Sequence, residues 1–503
     1  MRERLTWSLA AKAGTDGAVR DECRSRALES VLALRLLERT GHDARAAEAL
    51  RGFLRTQLPA MGMERFLVAA ALEGRGIVAG DLLVGEVTAA VPDFTAVRKR
   101  ALVHALAVMA DETFRPEWDE TAFDLSGLHS WARVQVTAAK VVLACAGGRL
   151  GCVADEDVRL LLDTQRRPHV WEGNVLIYLS VLHALSRLPG TGAVVAEGVH
   201  RVLAHQRVDG GLPFVSDTDT WCTATAGVAL AAAGAPPEVL ERVAGHLVRS
   251  QQPAGGWSFT DLACQTDVDD TSVAVQFLHV VDEARYRESI DGGLRSLVAV
   301  AGSDGGFPTY VAGAPSEACM TAAVVDALSV RPEAHRPLIA GGLHYLATQQ
   351  REDGSFPPDW SSSRLHAVFR VLLACVRPGG RPAPQIRRMA ERAHRFVLEQ
   401  QNADGGWGQQ AGEPSDVIST AYGLIAVCGQ EDPVPAAAAA RFLAAAQDGH
   451  GLREVRPDSI GPRPFVFTVP VLADIFTLLA LGHLAGRTTP VSAASGGWLA
   501  GAR

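Results

Sequence analysis

Lysine is almost absent from this chain: Lys12, Lys99 and Lys140 stand alone among basic residues that are otherwise Arg. With the abundant Ala, this reads as the coding bias of a GC-rich genome. A basic surface is missing too. The net charge of −8 is spread along 503 residues, which excludes a nucleic-acid footprint. No CxxC pair occurs. The eight Cys (23, 145, 152, 222, 264, 319, 375 and 428) are scattered, so reduced thiols in a cytoplasmic protein without structural zinc are expected. No run reaches transmembrane length, and no signal-peptide apolar core stands at the start, so stable membrane insertion is not expected. Alternating strand patterns of any length are missing as well.

What is present is helical and apolar. Hydrophobic residues make up 48% of the chain, enough for large cores and too many for disorder. Length alone suggests roughly two to four domains. Helix-period runs fall at about 21–40, 43–57, 63–73, 96–110, 128–146 and 172–187, broken by Gly and Pro. An acidic loop, Glu117-Trp118-Asp119-Glu120-Thr121-Ala122-Phe123-Asp124, lies between the fourth and fifth.

From about residue 200 the chain becomes periodic. Gln206-Arg207-Val208-Asp209-Gly210-Gly211-Leu212, Gln251-Gln252-Pro253-Ala254-Gly255-Gly256-Trp257, Ser303-Asp304-Gly305-Gly306-Phe307, Gln350-Arg351-Glu352-Asp353-Gly354-Ser355-Phe356 and Gln401-Asn402-Ala403-Asp404-Gly405-Gly406-Trp407 repeat one pattern, with a worn sixth copy at 447–451. Units of about 45 to 51 residues hold two helices and a turn. Gly ends a helix by taking positive φ. The aromatic packs on the next helix start, and the Gln amide bonds exposed backbone ends. Closing such an array into a ring buries its edges and gives an α/α barrel. Trp257 and Trp407 are assigned to this packing.

One stretch breaks the repeat: Gln265-Thr266-Asp267-Val268-Asp269-Asp270-Thr271-Ser272, followed by an apolar run. Asp267 is positioned to cap a helix, with Asp269 and Asp270 in its first turn. A helix start stabilises anions and lowers a carboxyl pKa, while adjacent carboxylates resist ionising together. The outcome is a strong acid that still holds a proton, suited to protonating an isolated carbon–carbon double bond. A plain helix cap, a solvated face and a divalent-metal site are the other readings of the same residues.

Set among these repeats, Asp267-Val268-Asp269-Asp270-Thr271 resembles the class II terpene cyclases, the squalene–hopene cyclases and class II diterpene cyclases, over most of the chain and most strongly from about 200 to 482. The length resembles the bacterial copalyl diphosphate synthase branch. The resemblance implies an all-α fold with two α/α-barrel domains in a βγ arrangement. Residues 1–19 would be an N-terminal segment of β, 20–200 the γ domain, 201–490 the β domain and 491–503 a flexible tail, with substrate between the barrels. It implies that Asp269 is the general acid, kept protonated and oriented by Asp267 and Asp270. The substrate would be geranylgeranyl diphosphate, cyclised with its diphosphate retained. No DDxxD stretch for ionising a diphosphate is found. Trp221, Phe259 and Phe465 match cavity aromatics of the family, though aromatics at such spacing also serve as core. Lys140 would contact phosphate or lie on the surface. Asp119 and Glu120, with Glu117 nearby, would hold Mg²⁺ or form a solvated loop. Within Pro315–Ala323 the family carries a His that bonds the acid; here the position is Ala323, so the acid's partner is missing or comes from elsewhere. A homodimer is a further expectation.

Three other classes share parts of this pattern. A squalene-type triterpene cyclase would add an apolar membrane-binding surface. A protein prenyltransferase β-subunit would need an Asp, Cys and His zinc set, for which the Cys positions show no grouping. A non-catalytic helical-repeat binding protein would need no buried acid motif.

Overall fold

The computed structural model describes residues 1–57, 62–74, 76–77, 84–85, 96–377, 382–447, 456–461 and 465–488. The expected tail at 491–503 and most of the worn sixth turn lie outside these residues. Helices dominate, and the described strands are two-residue pairs such as Ser25–Arg26 against Leu212–Pro213. The chain divides into two compact units, 1–21 with 218–460 and 468–503, and 22–217 with 461–467.

In the first unit, six helices form an inner ring: α1 (Asp219–Ala233), α2 (Val268–Asp282), α3 (Ala318–Leu328), α4 (Leu365–Val376), α5 (Val417–Val427) and α6 (Val471–Thr488). Each packs on the next, and α6 closes onto α1. The helices Pro237–Ser250, Arg287–Ala299, Pro332–Gln349, Pro384–Glu399 and Val434–Gln447 pack outside them. The helix Arg2–Lys12, from the other end of the sequence, packs on both α6 and α1 and fills the sixth outer place.

The sequence explains the two layers. Pro384–Glu399 buries Ile386, Met389, Ala393, Phe396 and Val397, one stripe at helical spacing, as an outer helix must. Every residue of α5 is buried, because an inner helix is covered by the outer layer on one side and faces its ring neighbours on the others.

The second unit has a smaller ring. Ala27–Thr40, Ala96–Ala110, Ser130–Ala146 and Val175–Leu185 pack in a closed circuit, flanked by Ala44–Thr56, Gly62–Glu73, Asp155–Asp163 and Gly192–Leu203. The sequence places a domain change near residue 200, whereas the units change at 217/218. The first repeat turn therefore belongs to the second unit. Its Gln206 amide donates to Gly210 O at 2.8 Å and to Ala46 O at 3.4 Å, and Arg207 Nε donates to Cys23 O at 3.1 Å. The turn bonds to residues of that unit, which decides where it folds.

Candidate active site

The site begins at a turn built by the repeat. Gly255 takes φ +94°, and a Cβ there would sit 2.4 Å from Gly292 O, so glycine is required. Gln251 Nε2 donates to Gly255 O at 2.7 Å and Ser289 O at 2.9 Å. Trp257 is fully buried, and its Nε1 donates to Leu247 O at 2.7 Å. Asp267 N donates back to Trp257 O at 2.9 Å, and Val268 N to Thr309 O at 3.0 Å. These bonds fix the start of α2, where Asp267 Oδ1 accepts from Asp270 N at 2.8 Å. The cap and first-turn positions read from sequence are those observed.

The proton expected on this set is held by the pair Asp267 and Asp270. The helix start favours anions, yet burial and mutual repulsion outweigh it. Burial first, then the charge of Asp269, raises the Asp267 pKa to about 6 against its cap hydrogen bonds. Burial, together with Asp267 and Asp269, pushes Asp270 well above the ordinary carboxylate range. The pair therefore holds a proton at neutral pH, donated from Asp270 towards Asp267. Asp270 Oδ1 is buried and makes no hydrogen bond among the described residues.

Asp269 stands apart from this pair. Its Oδ1 lies 2.7 Å from Nη1 of Arg370 on α4. Arg370 is buried, and burial works against its charge, but Asp269, Cys319, Asp359 and Tyr422 together hold its pKa above the usual value. Ala323, where the family's His was expected, is buried in the wall of the barrel's cavity. The acid's polar partner is thus a guanidinium from a different helix, about 100 residues downstream. Neither Arg370 nor the His366 beneath it carries a local motif that would have singled it out.

The cavity lies inside the ring. Thr225, Val273, Gln276, Ala323, Phe369 and Phe476 are among its lining residues, and Arg370 reaches it too. Its volume is about 50 Å³, room for one or two waters. Phe369 stacks on Tyr422 with ring centroids 5.0 Å apart, and Phe476 meets Tyr422 edge-on at 4.8 Å. Phe369 and Phe476 line the cavity with the buried Tyr422 packed against both, a pair of cavity rings that the sequence reading missed. Their π faces can stabilise positive charge.

The expected aromatics fare differently. Trp221 and Phe259 are half-buried near α1 and α2, joined by Trp221 N donating to Phe259 O at 3.2 Å. The Arg370 guanidinium lies 5.8 Å from the Trp221 ring. Phe465 belongs to the second unit, under the Arg26 guanidinium at 5.8 Å.

The residues assigned to diphosphate and metal also lie in the second unit. Lys140 Nζ donates to Asp157 Oδ2 at 2.7 Å, and the same oxygen accepts from Ala154 N at 2.9 Å. Lys140 thus ties Ser130–Ala146 to the start of Asp155–Asp163. Asp119 is exposed and accepts from Thr121 N at 3.0 Å and Thr121 Oγ1 at 2.7 Å, capping the short turn Glu120–Phe123. Glu120 is exposed in that turn. Asp119 here serves as the cap of that turn.

The Cys positions do show one grouping, contrary to the sequence reading. Cys319, Asp359 and His366, all buried, place their ligand-type atoms within 4.8 Å of one another. Residues 40 positions apart converge here because α3 and α4 are ring neighbours.

Comparison with known proteins agrees with this geometry. Residues 311–485 match the family profile of the squalene–hopene cyclase C-terminal domain. The chain is 38% identical to drimenyl diphosphate synthase from Streptantibioticus cattleyicolor, covering 97% of this chain and 95% of the relative. It is 36% identical to drimenyl diphosphate synthase from Streptomyces showdoensis over the same shares. The fold is similar to that of ent-copalyl diphosphate synthase from Streptomyces platensis, with TM-score 0.64, 18% identity, and coverage of 96% of this chain and 99% of that one. No helix among the described residues is long and apolar enough to cross a membrane. On its full-length similarity to such enzymes, the chain belongs to the class II terpene cyclases.

Proposed function

We propose that this enzyme cyclises an acyclic prenyl diphosphate by protonating its terminal alkene, keeps the diphosphate, and prefers farnesyl diphosphate, giving drimenyl diphosphate. The full-length similarity to two proteins of that name carries the choice of substrate. A drimenyl skeleton has fifteen carbons, so its acyclic isomer is farnesyl diphosphate. The geranylgeranyl diphosphate expected from sequence becomes the competing substrate.

The site supports the chemistry. Asp269 heads an inner helix, with a proton-holding pair behind it and a guanidinium before it. Asp269 delivers the proton to the alkene. The Asp267–Asp270 pair returns one, and Arg370 stabilises the carboxylate left behind. Ring closure passes positive charge along the chain past Phe369 and Phe476, and loss of a proton ends the reaction. Atoms balance as an isomerisation. The cavity is smaller than a prenyl chain, so its wall side chains move on binding. Mg²⁺ enters this reading as counter-ion of the diphosphate, and turnover falls when it is removed with EDTA.

The test is product analysis. Purified protein is given farnesyl and geranylgeranyl diphosphate separately and in competition, and products are dephosphorylated and examined by gas chromatography–mass spectrometry. A bicyclic C15 alcohol, with kcat/KM for farnesyl diphosphate at least about tenfold higher, is expected. A C20 bicycle formed preferentially returns the substrate to geranylgeranyl diphosphate. Cyclised squalene moves the protein to the triterpene branch, and no turnover of any of the three favours a binding role.

A further inference from the structure

Behind the Asp269–Arg370 contact lies a second polar layer. Arg370 Nε donates to His366 Nε2 at 3.3 Å. His366 Nδ1 lies 2.8 Å from Asp359 Oδ2, and Asp359 Oδ1 accepts from Ser361 N at 2.8 Å. A guanidinium Nε–H can only donate, so His366 Nε2 must accept. The hydrogen of the neutral imidazole then sits on Nδ1 and is donated to Asp359. One turn of α4 separates His366 from Arg370, so both side chains share a face. His366 and Arg370 are both buried.

We propose that His366 and Asp359 are positioning residues for the acid: Asp359 fixes the imidazole tautomer, the imidazole aims the Arg370 guanidinium, and the guanidinium steadies the Asp269 carboxylate that proton transfer leaves. This rests on the reading of Asp269 as proton donor. The same cluster, with Cys319 Sγ 3.5 Å from Nδ1, has the composition of a metal site. Two features favour the hydrogen-bonded reading. The ring nitrogen facing Cys319 and Asp359 carries the hydrogen, and a guanidinium occupies the other side. Burial also pushes the Cys319 thiol well above its usual pKa, which keeps it neutral.

Asp267 and Asp270 stand beside Asp269 on its own helix, and Arg370 faces it from α4. Trp221 of α1 adds a ring face near Arg370 but no titrating group. A guanidinium pulled off line no longer steadies the Asp269 carboxylate that proton transfer leaves, so the transfer slows.

The test compares His366→Phe, which removes both hydrogen bonds, with His366→Gln, whose amide can accept from Arg370 and donate to Asp359. Expected for His366→Phe are a kcat lower by about 10- to 100-fold and a KM within about threefold. His366→Gln should stay within about fivefold of wild type. Wild-type kinetics in His366→Phe, or equal losses in both variants, would overturn the proposal. If His366→Phe fails to fold, Asp359→Asn is read by the same criteria. Crystal structures of wild type and variant give a readout free of turnover: loss of the 2.7 Å Arg370–Asp269 contact supports the proposal, and its retention overturns it. If the wild type converts no prenyl diphosphate, the functional reading fails while the structural comparison still decides this one. Stoichiometric zinc or iron that disappears in His366→Phe would overturn it in favour of a metal centre.

Discussion

Two helix starts in the first unit are built on one frame. Before α2, Trp257 N donates to Thr271 Oγ1 at 3.0 Å; before α5, Trp407 N donates to Thr420 Oγ1 at 3.0 Å. The indole nitrogens donate to Leu247 O at 2.7 Å and Val397 O at 2.8 Å. Asp267 and Asp416 cap their helices at 2.8 Å, and each pairs with its Trp through an isolated bridge. Gln251 and Gln401 bond Gly255 O and Gly405 O in the same way. The difference lies two and three residues past the cap: Asp269 and Asp270 in one, Ile418 and Ser419 in the other. At a third start, Glu317 N donates to Phe307 O at 2.9 Å, and the step of Asp269 is taken by Cys319. On the proposed reading, the acid is a substitution on a structural repeat, and the frame itself serves stability.

Variants can break that comparison at either end. Asp269→Asn should lower kcat by about 10³-fold or more while Tm moves by no more than a few degrees, since Asn keeps the size of a half-buried side chain. Steady-state turnover beside calorimetry checks both halves. Trp407→Ala, by contrast, should destabilise by about 3–5 kcal/mol in denaturant titrations, because a fully buried indole and its hydrogen bond are lost. Asp416→Ala removes a cap alone and should cost about 1 kcal/mol with kcat unchanged. The matching change Asp267→Ala should cost turnover as well. A result in which the two cap variants behave alike would erase the distinction between the starts.

The smallest expected effect is in pH dependence. Asp267, at about 6, and Asp270, raised further, bind protons more tightly folded than unfolded. Their contribution to stability is present in full below about pH 4 and is lost as pH rises through about 6 and beyond. Asp267→Asn should flatten the fall in Tm between pH 4 and 7, and Asp416→Asn should flatten it less.

The same contrast explains what could be read from sequence. The turns, the Asp267 cap and the position of Asp269 and Asp270 in the first turn are local, set by residues within about 20 of each other, and they were legible. Arg370, His366 and Asp359 come together with Asp269 only through ring closure, and an Arg in an apolar helix carries no period that marks it. Tyr422 and Phe476 sit in apolar helices and carry no local mark either. The helix Arg2–Lys12 could be placed beside the later helices only by family resemblance, since nothing in its own residues points to α6. Lys140 and Asp119 were singled out by type, and the partners they meet are Asp157 and Thr121.

The most direct test of protonation-initiated cyclisation is turnover in D₂O. Wild-type protein is incubated there with farnesyl diphosphate, the product's mass is read after dephosphorylation, and the phosphorus spectrum is recorded before it. One deuterium per bicyclic product with the diphosphate still attached is the predicted result. Inorganic diphosphate released with no deuterium incorporated would contradict it, because the reaction would then begin at the diphosphate and Asp269 would not be its acid.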